Sequence, residues 1–159
     1  MEENKEAYVS LVTAKALKSI GFDFPVRSFY QEPIPGTELE RRHKEDIRRL
    51  LNERHDMPFS IKDWNHEEAR TDDRMYYSCP TLAVAQRWLR EVHHVSVEGG
   101  YARRPDNYVT IVIVPQSLED LFGQNFEIGV QARDFSSYEE AVEWGIEFVL
   151  KALLKGCEQ

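Results

Sequence analysis

Thr81-Leu82-Ala83-Val84-Ala85-Gln86-Arg87-Trp88-Leu89-Arg90-Glu91-Val92-His93-His94 decides the fold of this chain. Leu82, Ala85, Trp88, Leu89 and Val92 recur at helical spacing, whereas Gln86, Arg87, Arg90 and Glu91 fall on the opposite side. Thr81 stands where a capping hydroxyl belongs, and the histidine pair closes the helix. The period then changes. Val95-Ser96-Val97 begins a strand, Tyr108 to Val114 forms a second, and Phe126 to Arg133 alternates apolar with polar residues as a third. Arg104-Pro105-Asp106-Asn107 has turn chemistry. Ser137-Tyr138-Glu139-Glu140 is a capping box opening a helix to about Leu154, with Ala141, Val142, Gly145, Val149, Ala152 and Leu153 as its core stripe. The second half therefore reads helix, three strands, helix.

Working outward toward the N-terminus, Ser10 caps a helix to about Ile20, with Val12, Ala14, Leu17 and Ile20 as apolar positions and Gly21 just past its end. Phe22 to Val26 alternates like a strand, and Pro25, which has no N–H to donate, places that strand at a sheet edge. Tyr76 and Tyr77 read as a strand pairing back onto Phe22–Tyr30. Between them, about 33–73 reads as a charged insertion, with a helix from Thr37 to His55 whose acids and bases alternate in solvent. The expectation is one α+β domain over residues 1–159, an antiparallel sheet with helices packed on it.

Composition narrows the function. The 159 residues are 42% hydrophobic and 30% charged, enough apolar content for a core, which excludes a disordered or collagen-like chain. Lys and Arg number 20 against 28 Asp and Glu, a formal charge of -8. That balance opposes non-specific binding to nucleic acid or anionic lipid. The N-terminus lacks the basic and apolar regions of a secretory signal, and no apolar run approaches the ~20 residues of a membrane helix. Cys79 and Cys157 form no spaced framework, so the reading is a cytoplasmic protein with free thiols.

Two stretches carry a resemblance. Ser10 to Asp23 and Cys79 to His93, the latter a PTxxxAxxWLRExH pattern, resemble a group of uncharacterised small phage- and mobile-element-associated proteins of gut bacteria. The Tyr138-Glu139-Glu140-Ala141 helix fits the same group. The resemblance implies relatives without an assigned activity and supplies no catalytic residues.

Few constellations carry chemistry. His66-Glu67-Glu68-Ala69-Arg70 lacks the second histidine that a zincin helix needs, since Arg70 occupies that place. Asp63, His66, Glu67, Asp72 and Asp73 are a looser oxygen-rich group whose ordinary role is solvation. His93 and His94 suit a helix C-terminus, where the carbonyl dipole favours imidazolium. Cys79 precedes a helix N-terminus, which lowers a thiol pKa, but a nucleophile also needs an orienting base. No GxxxxGK[ST], GxGxxG or GxSxG occurs. The sequence therefore assigns no catalytic residue, no metal and no cofactor.

The candidate surface is basic: Arg87 and Arg90 on the central helix, with Arg103 and Arg104 in the hairpin turn. It belongs to the alternative reading, a nucleic-acid-binding module. The helix–three strands–helix order is similar in topology to double-stranded-RNA-binding domains, whose last helix presents lysines to phosphate. Here that place holds Glu139, Glu140 and Glu143. From Gln116 onward nine acids face Arg133, Lys151 and Lys155, a net of -6. The favoured expectation is thus an accessory protein of phage or mobile-element origin acting through protein–protein contacts. An unidentified protein is its expected partner, and the two-sided apolar strand Tyr108 to Val114 suggests a homodimer.

Overall fold

The computed structural model of the chain describes residues 6–42, 53–67, 73–102, 107–122 and 129–158. It is an α+β structure of helices packed on antiparallel sheets. The chain divides into two compact units, residues 8–80 and residues 81–159 with the first seven.

In the first unit, Ser10 caps α1 (Leu11–Ser19), its hydroxyl accepting from the Thr13 N–H at 3.3 Å. Thr13, Ala14 and Leu17 are buried, while Val12, expected on the apolar face, is 66% exposed. Gly21 follows with φ +94°, the left-handed conformation that glycine adopts without a Cβ clash. Its strand differs from the expectation. Phe22 turns inward as a fully buried plug, and Val26 makes only an isolated bridge to Lys62. The strand proper, β1 (Ser28–Pro33), starts beyond Pro25 and takes the centre of the sheet. It lies between β2 (His55–Asp56) and β3 (Arg74–Ser78), both antiparallel to it. The expected return pairing is present, as Tyr30↔Tyr77 and Gln31↔Tyr76.

Within the charged stretch, α2 (Glu38–Arg42) matches the start of the expected helix, and residues 43–52 lie outside the described residues. His55, read as the end of that helix, is instead in β2. The polar run after it also contributes to the core of this unit. A 3₁₀ turn, Trp64–His66, sets the Trp64 ring on Phe29 at 4.1 Å between centroids, with the indole N–H donating to the Val26 carbonyl at 2.9 Å. Asn65 locks the turn, accepting from the Ser78 N–H and donating to the Phe22 carbonyl, both at 2.9 Å.

In the second unit, α3 (Leu82–His93) is capped by Thr81, whose hydroxyl accepts from the Val84 N–H at 3.2 Å. Leu82, Ala85, Trp88 and Leu89 are buried as expected. Two positions exchange roles. Val92 is 47% exposed, whereas Gln86 is buried and donates to the Val97 carbonyl at 2.7 Å. His94 ends the helix at φ 59°.

The sheet follows, in the order β4 (Ser96–Tyr101), β5 (Tyr108–Ile113) and β6 (Gly129–Phe135), all antiparallel. The turn at 103–106 and residues 126–128, read as the start of the third strand, lie outside the described residues. A short helix, α4 (Glu119–Phe122), precedes β6.

The last helix, α5 (Tyr138–Cys157), lies on β4 and β5 and runs three residues past its expected end at Leu154. All six expected core residues are buried, and Ile146 and Leu150 join them. Ser137 accepts from the Glu140 N–H at 3.1 Å, so the cap forms. Its return half is displaced: the Glu140 carboxylate accepts from the Ser136 N–H and hydroxyl rather than from Ser137. Of the strand expected to need cover on both faces, Thr110 and Val112 are buried beneath α5. On the other face, Val109 and Ile111 are half-buried and Ile113 is 48% exposed. No helix is long and apolar enough among the described residues to cross a membrane.

Candidate binding groove on the last helix

A 20-residue helix that buries one side on a sheet must present its other side outward. On α5 that side is not uniformly polar. Glu140, Glu143, Trp144, Glu147 and Phe148 follow one another at i, i+3, i+4, i+7 and i+8, so they share one stripe. Trp144 and Phe148 are half-buried and stack at 5.4 Å with 13° between their planes. Phe135, at the end of β6, packs on Trp144 at 5.7 Å, and Phe122 of α4 packs on Phe148 at 5.9 Å. The result is a row of four aromatic rings along the outside of the helix.

Between β6 and the helix, Phe135, Glu140, Glu143, Trp144 and Glu147 line an open groove of about 210 Å³. Glu140 is held in place by Ser136, whose hydroxyl donates at 2.5 Å and N–H at 3.2 Å. Ring faces carry negative quadrupole density, and carboxylates carry negative charge, so floor and rim attract the same kind of ligand. That ligand is a cation with flat or apolar character. The groove is smaller than the ~300–1,000 Å³ of ordinary small-molecule sites, which suits a single side chain.

The basic residues singled out in the sequence do not gather into a comparable surface. Arg87 pairs with Glu91 at 2.8 Å one turn along α3, and Arg90 reaches Glu98 of β4 at 3.8 Å. Each guanidinium has an acid beside it, which lowers the positive field a phosphate would meet. Arg103 and Arg104 lie outside the described residues.

The reactive candidates are likewise accounted for by structure. Cys79 is 1% exposed, with its Sγ 3.5 Å from the Val9 carbonyl oxygen, as an ordinary buried thiol. His66 contacts Asp63, which also caps the 3₁₀ turn, and Glu67 pairs with Lys62 at 3.0 Å. Asp73 sits at φ 53°, and Asp72 lies outside the described residues. Among the described residues no three His, Cys, Asp or Glu side chains gather as a metal site. His93 departs from the imidazolium expected at a helix end. Burial, and then the neighbouring His94, push its pKa below the ordinary 6.5. Its ring stands edge-on to Trp88 at 4.8 Å, so desolvation outweighs the helix dipole.

The sequence reading misses the stripe on α5 because it weighs only the acids, as charge, and passes over the aromatic residues between them. The missed signal was Trp144 and Phe148 at i, i+4, off the core stripe and interleaved with Glu140, Glu143 and Glu147.

No family model matches the chain, and no solved structure does. Over 87 residues it is 28% identical to a phosphoribosyl imidazole-4-carboxamide isomerase of Methylococcus capsulatus, a match covering 52% of this chain. The chain spans about a third of the length of that relative, 35%.

Proposed function

We propose that the chain is a cytoplasmic accessory protein of phage or mobile-element origin that acts through protein–protein contacts, with the outer side of α5 as its contact surface. The observation that carries this reading is the aromatic row Phe135–Trp144–Phe148–Phe122 flanked by three carboxylates. Half-buried rings flanked by charge, as Trp144, Phe148 and Phe122 are beside the buried Phe135, are the make-up of interaction sites rather than of ordinary solvated helix faces. The phage origin draws on the resemblance of the Trp88 helix, and the isomerase similarity, confined to part of that relative, supplies no residue roles.

A second copy of the chain is a further proposed partner, favoured by Val109, Ile111 and the 48% exposed Ile113 on the sheet face away from α5. Retention on heparin and on RNA separates the contact reading from the nucleic-acid alternative. The chain is expected to pass through both at low salt. Retention that weakens as salt rises, and that is lost in R87A/R90A, would overturn it in favour of phosphate binding.

A further inference from the structure

We infer that the groove between β6 and α5 receives the guanidinium of an arginine presented by a basic segment of a partner protein. This rests on the contact reading and names its chemistry. The half-buried Trp144 supplies the ring surface, backed by the buried Phe135 at 5.7 Å between centroids. Glu140, Glu143 and Glu147 supply the anionic rim along one stripe of the helix.

Charge complementarity fixes the sign of the occupant. From Gln116 onward nine acids stand against Arg133, Lys151 and Lys155, so with every base paired this end still holds an excess of negative charge. An anionic ligand is repelled by this excess, and a neutral apolar one gains nothing from it. A cation is attracted.

Geometry then selects among cations. A groove of about 210 Å³ takes one side chain, with the chain that bears it outside. The guanidinium is planar and weakly hydrated, stacks on aromatic faces and matches carboxylates with paired donors. The lysine ammonium is a compact, strongly hydrated point charge that gains less from ring surface. Glu140, fixed by Ser136, is a preset acceptor at the rim, which lowers the ordering cost of binding.

The test is calorimetric titration of the full chain with three capped peptides that carry arginine, lysine or neutral citrulline between glycines. The arginine peptide is expected to bind, the lysine peptide about fivefold more weakly, and the citrulline peptide not measurably. In E143Q/E147Q the arginine affinity should fall about tenfold or more, and added salt should weaken wild-type binding in parallel. Trp144→Phe, which keeps a ring in the row, checks the stacking contribution and should cost less than the double Gln variant. Lysine or citrulline binding as tightly as arginine would overturn the inference while leaving the contact reading standing. So would an arginine affinity unchanged in E143Q/E147Q, or no binding of any peptide. Heparin retention, by contrast, would overturn the contact reading itself.

Discussion

Gly145 of α5 sits directly against Thr110 of β5: a Cβ added to the glycine would lie 2.4 Å from Thr110 Cγ2 and 2.6 Å from Val97 Cγ1. One turn earlier, Thr110 Oγ1 donates to the Ala141 carbonyl at 2.5 Å, so the same threonine both spaces the helix from the sheet and ties it down. The helix that carries the groove is therefore seated by its small residue. Gly145→Ala should force α5 off β4 and β5, at a cost of about 1–3 kcal/mol from overpacking that outweighs the gain in helix propensity. Denaturant unfolding checks this, and an unchanged or raised midpoint would show that the helix seats elsewhere.

Trp88 is 1% exposed beneath α3 and belongs to the core of the second unit. Trp88→Ala should cost about 3–5 kcal/mol through lost burial and a residual cavity. The melting transition reports it. A full-length variant that melts like wild type but loses a binding activity would make Trp88 a recognition residue instead.

The capping of α5 yields a graded expectation. Ser137→Ala removes the acceptor of the Glu140 N–H and should cost about 1 kcal/mol. Ser136→Ala removes only the hydroxyl that holds the Glu140 carboxylate, on an exposed surface, and should cost less. Its effect should appear in the groove, as weaker arginine binding. Equal stability loss in both variants would contradict this division of roles.

His93 gives the fold a pH dependence whose sign is fixed. Its folded pKa is lowered by burial and by His94, so below the ordinary 6.5 the unfolded chain binds a proton that the native chain refuses. Stability should therefore be constant above that value and fall as pH drops through it, until the native imidazole also protonates. His93→Gln should flatten this part of the pH–stability curve. A wild-type curve flat between neutral and mildly acidic pH would contradict the buried, neutral imidazole.

The elements of the second unit were legible because their signals are local. The Thr81 and Ser137 caps, the Trp88 stripe and the apolar run of β5 need only a few residues each. The first unit was less legible because its core is assembled across distance. Trp64 meets Phe29 and Val26 from a stretch that reads as charged loop, and Asn65 closes the turn through Ser78 and Phe22. Periodicity is silent about such contacts, and Pro25 pointed to an edge strand when the chain enters the sheet only at Ser28. The groove was invisible for a related reason. Its floor joins Phe135 of β6 to Trp144 of α5, and in the sequence the Glu residues at its rim read only as charge that opposes phosphate.

The sheet face away from α5 leads to an expectation about mass. With Ile113 48% exposed beside Ile111 and Val109, light scattering over a dilution series should show a dimer that dissociates at low concentration. Ile113→Lys should shift that equilibrium to monomer without unfolding the chain. A strict monomer at high concentration would remove the homodimer from the proposal.

The most direct measurement is the affinity of an oligoarginine peptide for three forms of the full chain: wild type, E143Q/E147Q and R87A/R90A. Contact through the acidic aromatic side of α5 predicts a loss of about tenfold or more in E143Q/E147Q and wild-type affinity in R87A/R90A. Affinity retained in E143Q/E147Q would contradict it.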